Sequence, residues 1–130
     1  MTASNRNRNL APCPDSPNCV SSQSSGKRHR VDPIMFQGAP EAAFAKLRRI
    51  IQSMKRTEIV EETATYLHAE CKSALFGFVD DVEFLLDEKN KVIHVRSAAR
   101  TGYWDLGVNR KRIERIREAF DEKRNSGPSD

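Results

Sequence analysis

Apolar residues recur with helical spacing in two segments of the chain. The first segment begins at Pro40, a residue type favoured at the first position of helices. Its apolar stripe consists of Phe44, Leu47, Ile51 and Met54. The stripe of the second segment, which begins near Val108, consists of Ile113, Ile116 and Phe120. This spacing predicts two amphipathic helices, the first over about residues 40–55, with Asn109 as the N-cap of the second.

Between these helices the apolar spacing changes to every second residue, which is typical of strands. Residues 57–62 and 65–73 predict two strands, and Cys71 falls on the apolar face of the second as a small core residue. The segment DVEFLLDEKNKVIHVRS predicts a hairpin that turns at Lys89 and Asn90. Its register pairs residues across the two strands: Leu86 with Ile93, Phe84 with Val95, Val82 with Ser97, Glu83 with Arg96, and Leu85 with His94.

The order of elements, helix, four strands, helix, predicts an α+β fold. Every link between strands is short enough for an antiparallel connection. The simplest arrangement that buries both stripes is a two-layer sandwich, in which a four-stranded antiparallel sheet carries two helices on one face. Residues 1–38 show almost no apolar periodicity and predict an extended N-terminal arm, partly packed on the domain. Residues 39–123 then form the globular domain, and residues 124–130 a polar tail.

Length and charge narrow the possible functions. A chain of 130 residues is long enough for one modest core. Its net charge of +4 is well below that of a dedicated nucleic-acid protein, which argues against nucleic acid as a partner. The sequence contains no apolar run of about 18 residues that could span a membrane. Because the N-terminal segment also lacks the apolar region of a secretion signal, we predict a cytoplasmic protein.

Charge is unevenly distributed in the second half of the chain. Residues 80–88 carry only acidic charges, whereas residues 89–112 carry seven Lys or Arg against one Asp. This pattern indicates either cross-strand pairing on a solvated face or an acidic rim beside a basic pocket. The positive end of the helix macrodipole disfavours cations at the start of a helix. The predicted start of the second helix is nevertheless surrounded by four cations: Arg100, Arg110, Lys111 and Arg112.

Arg110 and Lys111 can pair with Glu114, one turn further along the helix, but Arg100 has no such local partner. The loop TGYWDLGVN supplies two glycines and free backbone amides ahead of a helix, an arrangement that suits an anion. We therefore predict an anion-accepting site. The alternative is that Asp105 in this loop binds Arg100 or caps local turns. Of the adjacent Tyr103 and Trp104, one is expected to fill the core at the end of the sheet.

Cys13 and Cys19 flank the proline-containing stretch CPDSPNC. They could close a disulfide or hold half of a metal site, and the favoured interpretation is a structural turn that pins the arm. In a reducing compartment the two residues would usually stay thiols. Only Asp15 and His29 lie nearby as further metal ligands, whereas zinc normally takes four, so no metal is predicted.

No catalytic motif is recognisable. Asp80 and Asp81 are adjacent, so on a strand they point to opposite faces and cannot act as a dyad. His68 and His94 have no serine or cysteine partner that the sequence places beside them. Phosphate-binding, dinucleotide-binding and metalloprotease motifs are absent from the sequence, and no cofactor is assigned.

Three blocks of the chain resemble the signature of a bacterial and plastid family, domain of unknown function 1499. They are CPDSPNCVSSQ, LFGFVDDVEFLLD and VRSAARTGYWDLGVNRKRIERI, and the resemblance spans residues 12–120 in the same order. The family implies no particular activity, substrate or cofactor. Its pattern includes the cysteine block, the pair Asp80 and Asp81, and a third block with the polar positions Arg96, Ser97, Arg100, Asp105, Asn109 and Arg110.

The third block coincides with the cluster predicted from charge, which indicates one site or one buried polar network. In the second case the arm folds back over the sheet, and Asp15, Asn18 or Ser21 satisfies the arginines. We predict a non-catalytic binding or accessory module whose ligand residues are Arg96, Ser97, Arg100, Asp105, Asn109 and Arg110. Its partner would be an anionic small molecule or an acidic protein surface. The alternative is an enzyme with acid/base chemistry from Asp80, Asp81 or Asp105 beside these arginines.

Overall fold

A computed structural model describes the backbone of residues 9–126 and the side chains of residues 9–122. Its strands are β1 (Cys19–Ser21), β2 (Ile34–Met35), β3 (Thr57–Glu62), β4 (Tyr66–Lys72), β5 (Val79–Asp87) and β6 (Val92–Ala99). The helices are α1 (Pro40–Gln52) and α2 (Val108–Ser126). α2 therefore extends into the predicted polar tail, whose last residues lie outside the described part, as do the first eight residues of the arm.

Within residues 9–126 the sheet is antiparallel and has six strands, so the prediction of four strands is wrong. Neighbouring strands follow the order β1-β6-β5-β4-β3, and β2 also pairs with β6. The two extra strands come from the arm and have only three and two residues, too few for apolar alternation to appear in the sequence. Their main chains cover the edge of β6, which would otherwise expose unpaired amides and carbonyls.

The predicted hairpin register is confirmed. Leu86 pairs with Ile93, Phe84 with Val95, Val82 with Ser97, Glu83 with Arg96, and Leu85 with His94. Apolar alternation determines this register, because a slip of one residue would move every core side chain to the opposite face of the sheet.

Both helices pack on one face of the sheet, as the broad α+β prediction requires. The core joins apolar residues of α1, α2 and the central strands, including Phe44, Leu47, Phe84, Val95 and Ile113. Cys71 is buried there as a free thiol, in agreement with its prediction as a core residue. α1 ends three residues earlier than predicted, where the amide of Ser53 bonds back to the carbonyls of Arg49 and Ile50.

The second face of the sheet carries polar side chains and a small apolar cluster. Leu10 of the arm crosses this face and packs with Tyr66 and Leu85, and all three are buried. The arm thus contributes to both faces of the domain, because Val20, Val31, Ile34 and Phe36 belong to the main core.

Candidate functional site: the apolar end of the sheet

Two loops meet at one end of the sheet. β4 and β6 both flank β5 and both finish at the end where β5 begins. The β4–β5 loop (residues 73–78) and the β6–α2 loop (residues 100–107) therefore lie side by side. The loops are anchored by main-chain hydrogen bonds, from Ser73 N to Phe78 O at 2.8 Å and from Arg100 N to Val79 O at 3.0 Å.

These loops and the first residue of α2 expose seven large apolar side chains, which we call the rim: Leu75, Phe76, Phe78, Tyr103, Trp104, Leu106 and Val108. Leu106 is 88% exposed, Leu75 81% and Trp104 72%. The prediction that Tyr103 or Trp104 fills the core is wrong, because both rings are exposed and pack edge to face with centroids 5.0 Å apart. A polar network, described below, lies under this end of the sheet where an aromatic plug was expected.

A cleft of about 300 Å³ opens between the two loops. Its walls include the rim residues Phe78, Trp104, Leu106 and Val108. Asp80 and Asp105 supply the two acidic groups of its lining. Leu75, Phe76 and Tyr103 do not line the cleft, so the rim extends beyond it.

The polar network under the cleft centres on Asn109, whose side chain is fully buried. Its Oδ1 accepts hydrogen bonds from Ser97 Oγ at 2.6 Å and from Arg112 Nη1 at 2.8 Å. Its Nδ2 donates to Asp105 Oδ2 at 2.9 Å, and to the main-chain oxygen of Asn18 at 3.4 Å. A single amide side chain thus links α2, β6, the loop and the arm.

Arg112 completes this network by pairing with Asp80. Its Nη2 is 2.8 Å from Asp80 Oδ2, and both side chains are largely buried. The predicted site did not include Arg112, although the sequence drew attention to it as one of the cations at the helix start. The sequence did not show that Asp80, 32 residues away, lies on the helix-facing side of the sheet, where it can pair with Arg112.

Asp105 holds the start of α2. Its carboxylate accepts hydrogen bonds from the amides of Gly107 and Asn109, so this residue, and not Asn109 as predicted, caps the helix. Partial burial favours the neutral acid, but the hydrogen bonds from Asn109 and from the backbone outweigh burial and lower the pKa of Asp105. The alternative prediction that Asp105 caps local turns is confirmed.

Arg100 lies on the polar face of the sheet and is bound by two carboxylates. Its Nε and Nη2 donate to Asp81 at 3.0 and 2.7 Å, and Nη2 also donates to Glu70 at 2.8 Å. The hydrogen bonds from Arg100 are the largest influence on Asp81; together with His68 they outweigh partial burial and lower its pKa. The uneven charge along the chain is therefore cross-strand pairing at this position.

The other arginines bind main-chain oxygens of the arm. Arg110 donates to the carbonyls of Arg28 and Arg30 at 3.0 and 2.8 Å. Arg96 donates to the carbonyl of Pro12 at 3.3 Å, and to Glu83 across the hairpin at 3.4 Å. The arm does fold back over the sheet, but its main-chain oxygens, and not the side chains expected from the sequence, receive the arginines.

The six predicted ligand residues therefore separate into two groups. Ser97, Asp105 and Asn109 meet in the buried network. Arg96, Arg100 and Arg110 lie apart from them and bind carboxylates or the arm. Arg117, absent from the prediction, anchors the arm in the same way through the carbonyls of Asp32 and Pro33, at 2.6 and 2.7 Å.

Cys13 and Cys19 form a disulfide, one of the alternatives that the sequence left open, and do not remain as two thiols. The loop that it closes contains Asn18, whose Nδ2 donates to the carbonyl of Gly102 at 2.6 Å. The carbonyl of Asn18 in turn accepts from the amide of Ala99 at 2.9 Å. The disulfide-closed loop consequently supports the β6–α2 loop, which carries three of the seven rim residues.

His94 has a serine neighbour that sequence reasoning missed. Ser22 Oγ lies 3.2 Å from His94 Nδ1, and Asp87 Oδ2 lies 3.3 Å from His94 Nε2. Ser22 is only 4% exposed, and its oxygen accepts the amide proton of Val95 at 2.9 Å, so this chain of groups binds the arm to β6. Within residues 9–122 there is no cluster of His, Cys, Asp or Glu suited to a metal ion.

The comparisons give a family but no function. The model of a family described as protein of unknown function (DUF1499) matches residues 9–120, in agreement with the resemblance found in the sequence. No curated protein matches the chain. Over the part of the chain that the structure describes, neither helix is long and apolar enough to cross a membrane.

Proposed function

Since the chain belongs to the DUF1499 family, whose function is unknown, we propose a function from the structure itself: a non-catalytic binding module whose binding surface is the rim and its cleft. The observation that carries this proposal is the exposure of seven large apolar side chains on two adjacent loops. Scattered apolar residues are ordinary on protein surfaces, whereas a contiguous patch of this kind is typical of binding sites.

The support beneath the rim favours binding by a preformed surface. Two residues of the β6–α2 loop are held from outside it: Asn109 donates to Asp105, and Asn18 of the disulfide-closed loop donates to the carbonyl of Gly102. A surface fixed in this way loses little conformational entropy when a ligand binds. The buried positions of the predicted site, Ser97 and Asn109, then act as its foundation and do not touch the ligand.

The carboxylates argue against the alternative of an enzyme. A general acid at neutral pH needs a raised pKa, but the pKa values of Asp81 and Asp105 are lowered. A carboxylate with a lowered pKa is also a weak general base. Asp80 is bound by Arg112 in a largely buried ion pair.

Binding of an anion by Arg96, Arg100 and Arg110 is the second candidate. An anion at Arg100 would have to compete with Asp81 and Glu70, which already occupy the Nε and Nη2 donors. An anion at Arg110 would displace two carbonyls of the arm. We therefore place these arginines in the scaffold and the ligand at the rim.

The disulfide bears on location. Disulfides persist in oxidising compartments and are rare in the cytosol. The Cys13–Cys19 pair therefore supports an oxidising environment in place of the cytoplasmic location expected from the sequence.

The test uses a neutral apolar dye, N-phenyl-1-naphthylamine, so that charge plays no part in binding. We expect its fluorescence to rise with protein concentration, and amide NMR shifts to change in residues 73–78 and 100–108. Phe78→Ser, which alters the cleft wall, should weaken binding. Met35→Ser should not, because Met35 is 73% exposed on β2, which pairs with the opposite end of β6.

Absence of binding, or shifts centred outside the two loops, would refute the proposal. A parallel measurement of the melting temperature with inorganic phosphate distinguishes anion binding by the arginines from ligand binding at the rim. A rise in melting temperature that disappears in Arg100→Ala would favour the anion site, whereas an unchanged melting temperature would favour the rim.

A further inference from the structure

We infer that the rim docks on the surface of an anionic lipid bilayer, with its side chains inserted at the interface between headgroups and acyl chains. This inference rests on the proposed binding function and names the partner of the same surface. It is carried by the chemistry of the rim, by the cations beside it and by the reach of its exposed side chains beyond the cleft.

The two loops and the first residue of α2 carry little free charge. Residues 73–78 have no charged residue, and residues 100–108 have only Arg100 and Asp105. Arg100 is bound by Asp81 and Glu70. The Asp105 carboxylate already accepts hydrogen bonds from two amides and from Asn109. Insertion at the interface would therefore bring no unpaired charge towards the acyl chains, which is the main obstacle to membrane contact for an ordinary protein loop.

The residue types of the rim are those that bilayer interfaces favour. Trp104 and Tyr103 combine an apolar ring with a polar group, the property that concentrates tryptophan and tyrosine at the level of the headgroups. Leu75, Phe76 and Leu106 are purely apolar and strongly exposed. Because loop backbones cannot enter the hydrocarbon without losing hydrogen bonds to water, the expected insertion is shallow.

Cations stand beside the rim and match an anionic surface. Lys72 directly precedes the first loop, and Arg56 lies next to it, with Nε donating to the Lys72 carbonyl at 3.3 Å. Lys111 is exposed in the first turn of α2. Within the described residues none of these three side chains forms an ion pair. Two carboxylates, Glu58 and Glu70, share the surface with Arg56 and Lys72, and Glu70 is bound by Arg100. Negatively charged headgroups would provide the partners that the protein does not.

Other occupants fit less well. A small molecule in the cleft would leave Leu75, Phe76 and Tyr103 in water, because they do not line it. A second copy of the chain, joined rim to rim by a two-fold axis, would bring two sets of unpaired cations together. A bilayer can cover all seven side chains at once and neutralise the cations as well.

Trp104 makes the test direct, because it is the single tryptophan of the chain. The full-length protein is mixed with vesicles of phosphatidylcholine containing phosphatidylserine, and with vesicles of phosphatidylcholine alone. We expect Trp104 emission to shift to shorter wavelength and to be quenched by lipids brominated on the acyl chains. Binding should be stronger with phosphatidylserine and should weaken with salt.

Phe76→Ser should reduce vesicle binding about tenfold, the effect of withdrawing part of one phenyl ring from an apolar phase. Because Phe76 is exposed, the variant should melt at the wild-type temperature. Met35→Ser is the matched control and should bind as the wild type does. Lys72→Gln with Lys111→Gln should reduce the preference for phosphatidylserine and retain the spectral shift at low salt.

Vesicle binding with the expected shift and the loss in Phe76→Ser would support the inference. If Trp104 emission does not respond to either vesicle while the neutral dye still binds the rim, the membrane inference is overturned and the binding function stands. If neither binds, both are overturned. Docking on a bilayer would also be overturned if Phe76→Ser and Met35→Ser reduced vesicle binding equally. The same holds if size-exclusion chromatography showed dimers of the wild type that Phe76→Ser abolishes.

Discussion

Asn109 offers the sharpest test of how the scaffold holds the candidate site. Asn109→Ala removes an amide that is fully buried and makes hydrogen bonds to Ser97, Arg112 and Asp105. A bond to a charged partner contributes about 1.5–3 kcal/mol and a neutral one about 1 kcal/mol. We take the lower part of this range for the charged partners, because water can reach Asp105, and we subtract about 0.6 kcal/mol for the better helix propensity of alanine.

The expected loss in the free energy of unfolding is therefore about 3 kcal/mol, equivalent to a fall of about 10 °C in melting temperature. Urea titration under non-reducing conditions, with the disulfide intact in both proteins, measures this difference. Lys111→Ala, at the next position of the same helix, changes an exposed side chain and should stay within about 0.5 kcal/mol of the wild type. A loss below about 1 kcal/mol for Asn109→Ala would refute the view that this amide joins the arm, sheet and helix.

Three further perturbations test the remaining parts of the scaffold. Cys13→Ser should lower the free energy of unfolding by about 2 kcal/mol, because the disulfide closes a short loop in the unfolded chain. If reduction of the wild type leaves its free energy of unfolding unchanged, this prediction is wrong. Arg117→Ala should speed amide hydrogen exchange in arm residues 28–36, because the guanidinium of Arg117 holds two arm carbonyls. Arg115 is exposed on the same helix, so Arg115→Ala should leave these exchange rates unchanged. Equal exchange rates in the two variants would argue against this anchor. Arg100→Gln should raise the pKa of Asp81 towards 3.8 in a carbon-13 NMR titration. A carboxylate with a lowered folded-state pKa stabilises the fold above its unfolded pKa of about 3.9, and this contribution is lost as the pH falls through the folded-state pKa. The variant should therefore lose less stability than the wild type below about pH 4. An unchanged Asp81 titration in Arg100→Gln would contradict the pairing.

Part of the buried network beneath the candidate site followed from local sequence, but the exposed rim that forms the site did not. Ser97, Asp105 and Asn109 were predicted as one group with the arginines, and these three do meet in one network. The arginines could not be separated from them in advance, because their acceptors are main-chain oxygens of the arm and carboxylates on neighbouring strands. Every residue has a carbonyl, so residue identity gives no signal for such a contact.

The sequence by itself determined the two helices and the register of the β5–β6 hairpin, because helical and strand periodicities place a continuous apolar face on one side of each element. Only the tertiary structure decided that the arm supplies two strands, that Asp80 meets Arg112, and that Tyr103 and Trp104 face solvent. Two-residue and three-residue strands carry no period, and an aromatic residue in a loop has the same identity whether it is buried or exposed. Whether a loop aromatic residue is buried or exposed depends on the space that the end of the sheet leaves for its ring. Here the buried network around Asn109 and Arg112 lies beneath this end of the sheet.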